Sequence, residues 1–312
     1  MMAKVFVTGA AGYIGSILTP RLLEAGHDVT ALDNFMYRQA SLLDCCNHPH
    51  FELVRGDCRD RDLVAKCLKH ADAIIPLACL TGAPLCKADP VGAATIIRDA
   101  VRDILAIRSE RQAVIFPTTN SGYGVGEKGK FCTELSPLRP VSLYGTLKVE
   151  IEKELLAAPN VITLRLATVF GASPRMRTDL LVNDFVLRAV RDGFVVLFEA
   201  DFKRNYLHVR DAADAFLFCL DHFQDMRGHA YNVGLSDANI SKRELCEAIA
   251  QHIPSFYYTE HKLGEDPDKR DYIVSNEKIE ARGFKARRSL SQGIVELIKA
   301  YRVLPAFPYG NV

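Results

Sequence analysis

Tyr144 and Lys148 stand four residues apart in SLYGTLKVE, so on a helix they share a face. A phenol ionises near pH 10 and is a poor base at neutrality, but a neighbouring ammonium favours its phenolate. The pair therefore suits proton removal from a hydroxyl. A second stretch, FPTTNSGYG (116–124), ends an apolar run and presents hydroxyls, one amide and two glycines, with no acid, base or thiol. A third, VFVTGAAGYIGS, sets Gly9, Gly12 and Gly15 between an apolar run and a helical pattern. A tight turn at Gly9, close backbone approach at Gly12 and close helix packing at Gly15 place oriented N–H groups against a pyrophosphate. Asp33, ending the next apolar run in ALDNF, supplies a carboxylate for both ribose hydroxyls and disfavours a 2′-phosphate, which points to NAD.

These residues need a scaffold, and the chain carries the pattern of one. KVFVT (4–8), DVTAL (28–32), FELV (51–54), DAIIP (72–76), AVIFP (113–117) and VITLRL (161–166) read as strands. Several are apolar without alternation, as strands covered on both faces are. Helical patterns at 13–26, 60–69, 90–108 and 142–157 lie between them, so the fold class is α/β with a doubly wound parallel sheet. Past residue 170 the alternation loosens. Helices are predicted at 179–192, 211–222 and 241–252, with strands at 195–198, 205–209 and 230–234 and a Pro-, Asp- and Lys-rich loop at 265–271. The division predicted is a dinucleotide-binding domain over 1–170, rejoined by segments at about 200–235, and a smaller α/β substrate lobe over 171–312.

The totals exclude several classes. The 312 residues are 48% hydrophobic and 25% charged, with 39 basic against 38 acidic residues and a formal charge of +1. That balance gives no reason to expect nucleic acid or an anionic membrane as partner. No apolar run approaches the ~20 residues that span a bilayer. The nine cysteines form no C-x-x-C pair and no metal-ligand spacing, so free thiols, no metal and a cytoplasmic location are expected.

The G-x-x-G-x-x-G spacing, with Tyr-x-x-x-Lys downstream, resembles the extended short-chain dehydrogenase/reductases that modify nucleotide sugars, and the likeness runs over nearly the whole chain. It implies a Rossmann-like fold, NAD as cofactor and a homodimer paired through the Tyr-Lys helix and the long helix before it. The expected cofactor site holds Gly9, Gly12, Tyr13, Ile14, Gly15, Asp33 and Asn34, with Asp57 and Cys58 at the adenine, Leu77, Ala78 and Cys79 beside the nicotinamide, and Tyr144 and Lys148. Counting back four residues from Tyr123 in the family motif gives Thr119, with Thr118 as the second choice, as the hydroxyl that completes the catalytic set with Tyr144 and Lys148. The substrate, a nucleotide-diphosphate sugar, is expected at Thr81, Asn120, Ser121, Tyr123, Arg175, Arg177, Asn183, Arg204 and Arg270. Ile97 stands where many relatives carry an Asn.

The resemblance implies NAD-dependent epimerisation through a keto-sugar, most simply at C4. The alternatives within the family are a 4,6-dehydratase, a decarboxylase, a 2-epimerase and a ketoreductase. Dehydratases of this type place Asp-Glu directly after the catalytic Thr, and a 3,5-epimerising relative places a Cys nearby; here Asn120 and Ser121 follow. A non-catalytic NAD(H) sensor is the alternative of another class, and the joint presence of Thr119, Tyr144 and Lys148 argues against it.

Overall fold

The computed structural model describes residues 2–261 and 270–304. Seven strands form its central sheet: β1 (Lys4–Thr8), β2 (Asp28–Asp33), β3 (Phe51–Arg55), β4 (Ala73–Pro76), β5 (Ala113–Thr119), β6 (Val161–Leu166) and β7 (His229–Val233). They pair in the order β3-β2-β1-β4-β5-β6-β7, every pair parallel, with registers such as Val5 beside Val29 and Val114 beside Val161. This is the expected doubly wound, Rossmann-type sheet. The runs without alternation are the strands sealed on both faces: all six residues of β6 and all four of β4 are buried. The chain order reverses between β1 and β4, which opens a crevice at the carboxyl ends of the strands.

One face of the sheet is covered by the helix Gly15–Glu24 and the helix Val209–Asp221, whose Ile17, Leu18, Leu22, Ala212 and Phe216 join a single core. The other is covered by Arg61–Leu68, Ala100–Ile107 and Leu143–Ala157 through Val64, Leu68, Val101, Ile104, Ile151 and Leu155. A separate core unites Phe170, from the short strand Thr168–Phe170, with Val182, Phe185, Leu245, Ile249, Ile294 and Leu297 of the helices Leu181–Arg191, Lys242–Ala250 and Leu290–Val303.

Two differences from the sequence reading stand out. The helix expected over 90–108 is three pieces, because Thr95–Asp99 winds as a π-turn between Pro90–Ala94 and Ala100–Ile107. Thr95 returns its hydroxyl to the carbonyls of Val91 (3.0 Å) and Gly92 (3.2 Å) at the start of that widening, and such turns cluster at functional sites. Of the segment at about 200–235, only the helix and β7 rejoin the main sheet. The strand Lys203–His208 pairs instead with Thr168–Phe170 and Asn239–Ser241 in a small sheet of its own. Residues 265–269 of the expected loop lie outside the described residues.

Candidate active site

The glycine turn sits at the end of β1. Gly9 has φ of +69°, and a Cβ there would stand 2.5 Å from the Ala78 nitrogen. A Cβ on Gly15 would be driven onto the carbonyl oxygens of Gly9 and Ala10. Only glycine lets the turn press on the loop after β4 while the helix starts directly beneath it. Gly9→Ala adds a backbone clash to an unfavourable φ, so it is expected to cost about 2 kcal/mol or more of stability and to strip the protein of co-purified dinucleotide. Chromatographic nucleotide analysis checks this; a full complement in the variant would contradict the close-packed turn.

At the end of β2, Asp33 accepts N–H bonds from Ala11 (3.0 Å) and Phe35 (2.8 Å). Burial pushes its carboxyl up, and these backbone bonds and the Arg175 charge oppose that. Asp57 is held below the usual carboxylate range by Arg59, whose Nε donates to it at 2.9 Å. Burial pushes the neighbouring Cys58 thiol up to about 12, which leaves it a packing group and not a nucleophile. Thr8 anchors the loop after β4: its carbonyl accepts from Leu77 N (2.9 Å) and its hydroxyl from Ala78 N (3.3 Å).

Ser142 caps the helix Leu143–Ala157 by accepting from Gly145 N (3.2 Å), which fixes Tyr144 in the first turn. Tyr144 is half-buried against Leu80, Cys86, Ile97 and Leu147. Burial is the main cause pushing its phenol up; the guanidiniums of Arg177 and Arg270 pull it down. Lys148 is 3% exposed, donates Nζ to the Pro117 carbonyl (2.8 Å) and lies 4.3 Å from the Phe116 ring centre. Its burial lowers the ammonium's pKa. Thr119, last residue of β5, donates to Ser121 Oγ (2.9 Å), and Arg270 also donates to that hydroxyl. A chain of polar contacts thus runs from Thr119 to the guanidinium of Arg270.

One cleft is lined by most of the expected residues: Gly9, Gly12, Tyr13, Ile14, Gly15, Asp33, Asn34, Asp57, Cys58, Leu77, Ala78, Cys79, Thr81, Thr119, Ser121, Tyr144, Lys148, Arg175, Arg177 and Arg270. Four lie elsewhere. Tyr123 is buried and donates to Asn232 Oδ1 (2.6 Å) while accepting from Arg165 Nη1 (3.0 Å). Asn183 is fully buried, donating to the Arg177 carbonyl (2.7 Å) and accepting from Gly171 N (3.0 Å), so it shapes the segment that carries the arginines. Arg204 is 4% exposed within the small sheet. Asn120 is fully buried, and among the described residues neither Oδ1 nor Nδ2 has a hydrogen-bond partner. With no bond to lose, Asn120→Leu is expected to leave stability unchanged or raise it by about 1 kcal/mol; a denaturant titration showing a loss of ~2 kcal/mol would reveal bonds through ordered water.

Residue-by-residue reading passed over Glu152. It lies four residues beyond Lys148 on the same helix face and, buried, accepts from Arg165 Nε (2.9 Å), Thr163 Oγ1 (3.0 Å) and Thr118 Oγ1 (3.4 Å). The spacing from Lys148 was the available signal. Among the described residues no group of three His, Cys, Asp or Glu side chains could hold a metal, all nine cysteines are free, and no helix is long and apolar enough to cross a membrane.

The chain is 28% identical to the low-salt glycan biosynthesis protein Agl12 of Haloferax volcanii, over 95% of this chain and 98% of that one. It is 29% identical to a UDP-glucose 4-epimerase of Mycolicibacterium smegmatis, over 96% and 98%. The fold matches a UDP-glucuronic acid 4-epimerase from Bacillus cereus, solved with UDP-glucuronic acid and NAD, at a TM-score of 0.86 and 22% identity over 97% of this chain and 100% of that one. The cofactor is NAD, and the glycine turn, the helix beneath it and Asp33 fit it. A sequence model of the family matches residues 5–234, and the chain belongs to the NAD dependent epimerase/dehydratase family.

Proposed function

We propose that the protein is a nucleotide-sugar 4-epimerase, oxidising its substrate transiently and reducing it again without net use of cofactor. The observation carrying this reading is what the catalytic end of the cleft lacks. Among the described residues lining it, the only carboxylates are Asp33 and Asp57, at the ends of β2 and β3, while Tyr144 and Thr119 belong to the β5 side. A dehydratase or a 5-epimerase must move a proton at carbon, and among the described residues lining the cleft no acid stands beside Thr119 to do it.

The glycine turn, the helix beneath it and Asp33 would hold NAD, which would supply the reversible hydride acceptor for C4. Tyr144 takes the proton of the 4-hydroxyl and later returns it. Thr119 holds the reacting oxygen, and its bond to Ser121 places that hydroxyl in line with Arg270. Lys148, anchored on Pro117, keeps positive charge beneath the phenol. Arg177, steadied by Asp179 (Nε to Oδ1, 3.2 Å), and Arg270 line the cleft with Tyr144 and serve the substrate's anionic groups. The two-lobe division near residue 170, a homodimer through Pro90–Ile107 and Leu143–Ala157, and a cytoplasmic location complete the proposal.

The two guanidiniums acting on Tyr144 also favour a second reading, a decarboxylase for a nucleotide-linked uronic acid. Product analysis by NMR with UDP-, dTDP-, GDP- and CDP-sugars and their uronic acids, with no NAD added, separates the readings. A C4 epimer in equilibrium with its substrate supports the proposal; a pentose with release of carbon dioxide overturns it.

A further inference from the structure

We propose that Arg175 and Tyr37 belong to the cofactor's half of the cleft, where the stacked guanidinium and phenol ring close over the ribose and pyrophosphate of the dinucleotide and set how tightly it is retained. The expectation that Arg175 serves the sugar nucleotide gives way to where the chain holds it. Its backbone N–H donates to Ser16 Oγ (3.3 Å), in the first turn of the helix beneath the glycine turn. Two residues earlier, Ser173 Oγ donates to the Tyr13 carbonyl (2.8 Å) and meets Ser16 Oγ at 2.9 Å. The segment 173–175 is thereby tied to the element whose N–H groups face a pyrophosphate.

From there the side chain reaches towards β2. Its Cζ stands 4.0 Å from the ring centre of Tyr37, four residues beyond Asp33, and its charge acts on the Asp33 carboxyl. Arg175 is only 2% exposed, and both residues line the cleft. Arg175 Nη1 donates to the Met176 carbonyl (3.1 Å), which holds the guanidinium over the Tyr37 ring at the cleft wall, where its charge favours an anionic group. The Tyr37 hydroxyl is buried with no hydrogen-bond partner among the described residues, and a ribose or phosphate oxygen would give it one. Arg177, by contrast, is held away from the glycine turn, with Nη2 donating to the Thr81 carbonyl (3.5 Å) and Nε to Asp179 (3.2 Å).

The two arginines, two residues apart, thus divide the labour: Arg175 serves the cofactor and Arg177 the substrate. Because Arg175 comes from the segment that leads into the substrate lobe, retention of cofactor depends on that lobe's seating on the glycine turn. The assignment rests on the dinucleotide site alone; only its use, keeping reduced cofactor through the ketone stage, rests on the proposed epimerisation.

The test compares Arg175→Met and Tyr37→Ala with the unaltered protein. NAD content after gel filtration is measured by chromatography of the acid extract. Calorimetry then gives affinities for NAD and for whichever of UDP, dTDP, GDP and CDP the unaltered protein binds best. Both variants are expected to lose most co-purified NAD and to bind it about tenfold or more weakly, with nucleoside diphosphate affinity within about twofold of the original. Undiminished NAD retention in the Tyr37→Ala protein, whose altered side chain lies at the cleft wall and outside the core, overturns the proposal. So does an Arg175→Met protein that keeps its NAD and loses the nucleoside diphosphate, which returns Arg175 to the substrate. Neither result bears on which carbon is inverted, and failure to find a C4 epimer leaves this assignment standing.

Discussion

Replacing Tyr144 with Phe is expected to lower kcat by about 10³-fold, within the range that a positioned acid–base group supplies. Phe keeps the ring that packs against Leu80, Cys86 and Ile97, so stability should change by less than about 1 kcal/mol. NAD content and KM should stay near their original values, because the lost hydroxyl acts on the reacting oxygen and not on binding. The same residue predicts a pH dependence. Burial holds its phenol up and the guanidiniums of Arg177 and Arg270 pull it down. Proton removal needs the phenolate, so activity rises with pH through this group's pKa. Arg270→Gln removes one of the opposing charges and should move that rising limb to higher pH. A Tyr144→Phe protein of full activity would remove the proposed base from the mechanism.

Glu152→Ala is expected to have the largest effect on stability. Glu152 is 1% exposed and Arg165 5%, so the substitution leaves a buried guanidinium without its counter-charge. Breaking such a pair costs about 3–5 kcal/mol, a large share of the ~5–15 kcal/mol that holds a domain folded. Catalysis should fall as well. Thr118, which donates to Glu152, also accepts the Thr119 N–H at 2.6 Å, so the carboxylate ties the end of β5 to the helix bearing Tyr144 and Lys148. Arg165 in turn supports Tyr123 from 3.0 Å. The double variant Glu152→Leu/Arg165→Met removes both charges and should recover most of the stability. Urea unfolding of the three proteins checks this; a loss under about 1 kcal/mol in Glu152→Ala would show that water reaches the pair.

What could be read from sequence was what declares itself locally. The six strands of the first half, the glycine turn, Asp33 and the Tyr144–Lys148 pair each carry their own short-range pattern, and each lies where that pattern put it. The π-turn at Thr95–Asp99 left no trace, because a widened turn does not alter the apolar spacing around Ile97 and Ala100. Side-chain direction was equally hidden. Tyr123 and Asn183 sit near the expected places, yet they point into protein, where Asn232 and Gly171 meet them, and Arg204 is buried. Arg175 and Tyr37 lie 138 positions apart, and no local pattern reports that they stack. The seventh strand, β7, was legible as a strand, but its place beside β6 follows only from the sheet.

The most direct test of the central claim is turnover in D₂O with no added NAD, using the nucleotide sugar that the product survey identifies and reading the product by NMR. Transient oxidation at C4 moves hydrogen only between that carbon and the bound cofactor, so the account predicts a C4-inverted product with no deuterium at any carbon. Deuterium at C5 or C6 would reveal the proton transfers of dehydration or 5-epimerisation, a product inverted at C2 and not at C4 would move the oxidation to that carbon, and either result would contradict the account.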